Sequence, residues 1–158
     1  MEYIRELNGK DDGGCFLCRY RDDPDADAEN LVLRRSERTL ILLNRYPYTN
    51  GHLLIAPAAH VGEMEAVDEQ TLTEMSLCIR DAQRVLRAAV RCDGFNIGMN
   101  LGRCAGAGLP DHLHYHVVPR WNGDTNFMSV VGNSRVIPQS LEDVRDAYLA
   151  EASKLAMR

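Results

Sequence analysis

From Leu31 onward the apolar residues fall into short runs with the period of a sheet. Residues 31–34 and 39–43 read as two strands joined by Ser36-Glu37-Arg38, and His52 to Ala56 as a third that stops at Pro57. Between them, Asn44 to Gly51 is dense in turn formers and reads as a loop. The period then changes. Leu72, Met75, Ile79, Ala82, Leu86 and Ala89 recur at helical steps, predicting a long helix over 68–91 with Asp68 as its N-cap and Gly94 soon after its end. Phe95 to Leu101 returns to strand, and Gly98 inside it signals close approach by another backbone or a ligand. A glycine-rich loop, 102–111, leads into the sharpest alternation in the chain, His112 to Trp121. As a strand, it places His112, His114 and His116 on one face and Leu113, Tyr115 and Val117 on the other, toward a core. The chain then runs irregularly to Pro138. Ser140 with Asp143 resembles a capping box opening a C-terminal helix that carries Leu141, Val144, Tyr148 and Leu155. The pattern predicts an α+β fold: an antiparallel sheet with one long helix and a C-terminal helix.

Composition narrows the setting. A chain of 158 residues, 45% hydrophobic and 26% charged, suits a single soluble domain. Residues 1–30 read as an N-terminal arm and 31–158 as the main body. The arm's Gly, Asp and Asn make it a solvated segment, and its acidic cluster lacks the spacing of a calcium loop. The net charge of −5 argues against a nucleic-acid partner, so an anionic ligand would need a locally basic or amide-lined site. No apolar stretch approaches the roughly 20 residues of a membrane span, and the N-terminus lacks the order of a signal peptide. A cytoplasmic location without membrane attachment is expected, where the five cysteines are reduced thiols.

Three of the chain's five histidines lie in one row, and a row of polar rings needs partners or solvent. Two chemistries fit. The rings could bind a catalytic zinc with one open position. Alternatively, one imidazole could be a nucleophile while its neighbours handle protons and charge. The loop 102–111 offers backbone N–H groups with little side-chain bulk, which suits a phosphate oxyanion, and Arg103 and Arg120 flank the row. Cys15 and Cys18 have the spacing of a zinc knuckle. His60, taken alone, reads as a surface residue past a strand.

His112-Leu113-His114-Tyr115-His116-Val117-Val118 resembles the signature of the histidine-triad superfamily. Leu43 to His52 resembles the nucleoside-binding loop and following strand of its fragile-histidine-triad branch. Asn96 to Asn100 with Gly106 and Gly108 resembles the phosphate-contacting segment. Pro119 to Phe127 with Val136 to Gln139 is similar to bacterial members related to dinucleoside polyphosphate phosphorylases. The resemblance implies a histidine-triad-like fold, a homodimer, and cleavage of dinucleoside polyphosphates or related nucleoside phosphates through a nucleotidyl-histidine intermediate. By the same resemblance His114 is the nucleophile, His116 serves the phosphate or leaving group, and His52 helps orient the site. Asn44 would bind the ribose, with Asn100, Ala107 and Gly108 around the phosphates of a nucleotide, adenine-containing by family analogy. Cys15, Cys18, His60 and His112 match the family's structural zinc ligands. One departure stands out: Gly106-Ala107-Gly108 carries no side-chain hydroxyl or amide where many relatives do, leaving water or phosphate as the second nucleophile. Phosphorolysis, a zinc metallohydrolase and a non-catalytic nucleotide-binding module are the alternatives.

Overall fold

Five strands build one sheet: β1 (Val32–Arg35), β2 (Thr39–Leu43), β3 (Leu53–Pro57), β4 (Gly94–Met99) and β5 (Tyr115–Arg120). The computed structural model describes residues 14–125 and 137–155. The start of the arm and the tail residues Asn126, Phe127 and Val136 therefore lie outside the described residues. The strand order is β1-β2-β3-β5-β4, with every neighbouring pair antiparallel.

Every residue of β2 and β3 is buried, because apolar side chains cover both sheet faces. On one face Ile41, Leu43, Leu53, Ile55 and Val117 pack with residues from two helices, α2 (Glu69–Val90) and α3 (Leu141–Lys154). Met75, Ala82 and Leu86 of α2 and Val144 and Tyr148 of α3 complete that core. The ends are set locally. Asp68 accepts a hydrogen bond from the Thr71 backbone N–H to cap α2, and Arg91 in the left-handed region (φ 52°) ends it. Ser140 Oγ accepts from the Asp143 N–H at the start of α3.

The predicted arm differs from expectation. From Phe16 to Asp22 it forms a short helix, α1, whose Leu17 is buried with Leu40, Leu42, Leu54 and Ala56 on the second sheet face. Arg35 ties it down, pairing with Asp27 and donating to the carbonyls of Arg21 and Tyr20. The apolar residues Phe16, Leu17 and Tyr20 are too few to show a period among so many aspartates, yet the uncovered sheet face gives them a place to bury.

The histidine strand also differs. Its ladder begins only at Tyr115. His112 and Leu113 leave it because the Leu113 N–H bonds the Val61 carbonyl (2.8 Å) and the His112 ring bonds Pro57. The inward alternation persists: Leu113 and Val117 are buried against the helices. Gly98 has no protein backbone against it, since a Cβ added there would meet nothing within 4 Å.

Candidate functional site

The β2–β3 loop, the start of β3 and the approach to β5 meet on the sheet face turned away from α2 and α3. Leu54 pairs with His116 across β3 and β5, and Leu54 belongs to the apolar group under α1. His116 therefore shares that face. Gly98 of β4 pairs with His116 from the other side, and its missing side chain leaves open space beside the ring.

Hydrogen bonds settle where each imidazole carries its proton. His52 is fully buried. Its Nδ1 accepts from the Tyr48 backbone N–H (3.1 Å) and the Asn44 amide (3.2 Å), so its proton is on Nε2. That Nε2–H donates to His116 Nδ1 at 2.9 Å, which leaves the His116 proton on Nε2. Burial, reinforced by neighbouring imidazoles, pushes His52 down to about 3 and His116 to about 4. His114 is held in the opposite tautomer. Its Nδ1–H donates to the His112 carbonyl (3.0 Å), leaving the Nε2 lone pair available, and burial keeps the ring neutral. Its ring lies 4.9 Å from that of His116, edge to face. A neutral nitrogen with a free lone pair beside an imidazole N–H donor is the equipment of nucleophilic attack with assisted departure.

A pH prediction follows from the burial of these rings. Both folded values lie below the ordinary 6.5, so the stability of the neutral rings is fully present above that pH. It is lost as pH falls, because the unfolded chain takes up protons that the folded rings refuse until about 4 and 3. Urea midpoints should be level near neutrality and decline steadily below about pH 6. A level profile down to about pH 4.5 would contradict this.

His112 faces elsewhere. Its Nε2–H donates to the Pro57 carbonyl (2.9 Å), and its Nδ1 lies 3.0 Å from Cys15 Sγ and 3.5 Å from Cys18 Sγ. His60 Nδ1 sits 3.3 Å from Cys18 Sγ. The ligand atoms of Cys15, Cys18, His60 and His112 all lie within 4.8 Å of one another. A tetrahedral zinc, with bonds of about 2.3 Å to sulfur and 2.0–2.1 Å to nitrogen, spaces its donors roughly 3.3–3.8 Å apart. The four residues fit such an ion, and the Pro57 carbonyl already orients His112 for it. Burial pushes the Cys15 thiol up to about 11, so metal binding there would displace a proton. His60 is brought in by Gly62, where an added Cβ would lie 2.7 Å from the Pro110 carbonyl oxygen. Gly62→Ala should push the two loops apart, lowering the melting temperature by several degrees and weakening metal retention. Unchanged melting and metal content would refute that role.

Several predicted residues are already engaged. Asn44 is buried, its amide nitrogen on His52 and its Oδ1 accepting from the Tyr46 N–H (3.0 Å). The Ala107 N–H bonds the Gly102 carbonyl (3.3 Å), and the Asn100 amide reaches the Gly106 carbonyl (3.5 Å). Gly102 and Gly106 have φ of 78° and 89°, so glycine is what lets this loop turn, and Gly108 is exposed within it. Arg120 is a correction: its guanidinium is forked onto Asp124 and bonded to Asn96, which leaves it neutralised rather than aimed at a phosphate. Sequence reasoning passed over the Pro57 carbonyl, Gly62 and Tyr48, whose ring packs on His52 and His116. No local pattern marks the first two, whereas Tyr48 lay inside the loop singled out for its resemblance.

The comparisons with known proteins agree with this geometry. Residues 25–123 match the model of the HIT domain. The chain is 45% identical over 126 residues to a Mycobacterium tuberculosis protein named AP-4-A phosphorylase, covering 80% of this chain and 65% of the relative. It is 29% identical over 93 residues to the asymmetrical bis(5'-nucleosyl)-tetraphosphatase of Schizosaccharomyces pombe, covering 59% of this chain and 50% of that one. The chain thus spans less than two thirds of the length of both relatives. Among solved structures, a zinc-bound histidine triad family protein from Mycobacterium smegmatis superposes with a TM-score of 0.72 at 27% identity, covering 90% of this chain and 98% of the other. With the triad rings, their hydrogen bonds and the family match in agreement, the chain belongs to the HIT domain family.

Proposed function

We propose that this protein cleaves dinucleoside polyphosphates, or related nucleoside phosphates, by nucleotidyl transfer to His114. The observation that carries the reading is the tautomer of His114, whose Nδ1–H is held by the His112 carbonyl so that Nε2 keeps its lone pair. In this mechanism Nε2 attacks the α-phosphorus, a phosphorus–nitrogen bond forms, and the bond to the leaving polyphosphate oxygen breaks. His116 Nε2–H stabilises the departing oxyanion, relayed from His52. His52 acts by orientation. Asn100 follows Met99, which pairs with Tyr115 between His114 and His116. In this reading Asn100 with the loop around Ala107 and Gly108 would receive the phosphates, while Asn44, bonded to His52, would reach the ribose by rearranging its own bonds. The nucleotidyl-histidine is then released by a second nucleophile.

The 45% identity to a protein named AP-4-A phosphorylase favours inorganic phosphate as that nucleophile, with water as the hydrolytic counterpart. Diadenosine tetraphosphate is the discriminating substrate. ADP formed together with ATP only when phosphate is present supports phosphorolysis; AMP with ATP in its absence supports hydrolysis. No products with any of a panel of dinucleoside polyphosphates, despite nucleotide binding, would leave a binding module in place of an enzyme.

The same proposal holds zinc at Cys15, Cys18, His60 and His112 as a structural ion, supported by the converging donors and the zinc-bound relative. When bound, such an ion supplies a fixed positive charge that pins α1 to the loop before β5. The reading also carries a homodimer, a cytoplasmic setting and a division into an arm and a catalytic body near residue 30. Among the described residues no helix is long and apolar enough to cross a membrane. Sedimentation of the purified chain measures the oligomeric state directly.

A further inference from the structure

Tyr48 touches the histidine relay twice, by different groups. Its backbone N–H donates to His52 Nδ1 at 3.1 Å, fixing the tautomer at the start of the relay. Its ring packs 4.5 Å from the His52 ring and lies nearly parallel to His116, at 5.7 Å with 22° between planes. Tyr48 is 40% exposed, and its ring forms the outer wall over the His52–His116 hydrogen bond. We propose that Tyr48 is a positioning residue that sets the direction of the relay proton, holding the His116 ring so that its Nε2–H is presented to the leaving group.

The physical need is specific. An imidazole turned over about its ring axis offers carbon where nitrogen is required, and a ring that can turn spends part of its time useless for donation. Nothing covalent prevents His116 from turning. Among the described residues its Nδ1 accepts one proton, that of His52, and one hydrogen bond adds little net resistance to ring rotation. The aromatic face laid along His116 restricts ring rotation and keeps water from competing for Nδ1. An aliphatic or small residue at 48 would keep the backbone N–H and lose that face. The inference rests on the proposed nucleotidyl transfer for its catalytic meaning, but the proton position it assigns exists whether or not the substrate is correct.

Long-range nitrogen–proton correlation spectra of the histidine rings in the full-length protein test it. Wild type should show His52 and His116 with protons on Nε2, and Tyr48→Phe should match it. Tyr48→Ala should show exchange between tautomers at His116. In turnover, kcat should fall about tenfold to a hundredfold in Tyr48→Ala with KM changed less than about threefold, and recover in Tyr48→Phe. If the alanine variant does not fold, Tyr48→Leu, which keeps apolar bulk without a planar face, carries the same readouts. An unchanged His116 tautomer in the folded variant overturns the proposal. Should wild type turn over none of the substrates, the proposed function fails while the ring spectra still decide the role of Tyr48.

Discussion

Replacing His114 with alanine should reduce product formation by about four orders of magnitude or more, the scale seen when a covalent nucleophile is removed from a catalytic group that acts as a unit. Binding of nucleotide should change much less, because the His114 ring supplies a reacting atom rather than a large contact surface. The half-buried ring makes its one described polar bond to the His112 backbone carbonyl, so its loss removes that acceptor's donor and strands no other side chain. The melting temperature should therefore fall only modestly. Rapid quenching of wild type with substrate should trap an acid-labile nucleotidyl adduct on the protein, absent from His114→Ala. Unaltered turnover in a folded variant would end the mechanism, and adduct formation on another residue would reassign it.

Stripping metal from the protein should act on stability first. At a thousandfold excess over its dissociation constant a bound ligand contributes about 4 kcal/mol, which for a domain of this size shifts the melting temperature by roughly 8–16 °C. Cys18→Ser should reproduce most of that loss, since Cys18 Sγ lies between the rings of His60 and His112. Elemental analysis should return close to one zinc per chain in wild type. A metallohydrolase built on the triad predicts instead that chelation abolishes turnover and that added zinc restores it without a matching change in melting. The geometry favours the structural reading. Among the described residues the donors that converge are Cys15, Cys18, His60 and His112, whereas Nδ1 of His114 and of His116 are already committed to His112 and His52. Carefully purified protein containing no zinc would remove both readings.

Much of this molecule was legible in advance because the relevant forces are local. The helical recurrence of Leu72 to Ala89 produced α2, and Asp68 and Ser140 capped helices where their side chains could reach the next turn. The triad announced its own alternation, with Leu113 and Val117 inward as the period required. The arm was misread as solvated because its few apolar residues gain stability only from a sheet face that other segments create. Arg120 looked available for a phosphate until the turn that follows it returned Asp124 to its guanidinium.

The site divides along the same line. Residue types and spacing by themselves brought the rings of His114 and His116 together, showed two thiols in metal-binding spacing and gave the resemblance to the histidine-triad proteins. The expectation that His112 would share their strand face failed, because its ring turns to Cys15 and Cys18. Only the tertiary structure decided which nitrogen of each ring bears a proton. His112 is turned toward the thiols by a carbonyl 55 residues away, His114 is set by the carbonyl of His112, and His116 by a ring 64 residues away. The reason is that an imidazole has two nitrogens of nearly equal basicity, so its sequence position leaves the tautomer open. The choice belongs to whichever acceptor or donor the fold brings within hydrogen-bond reach.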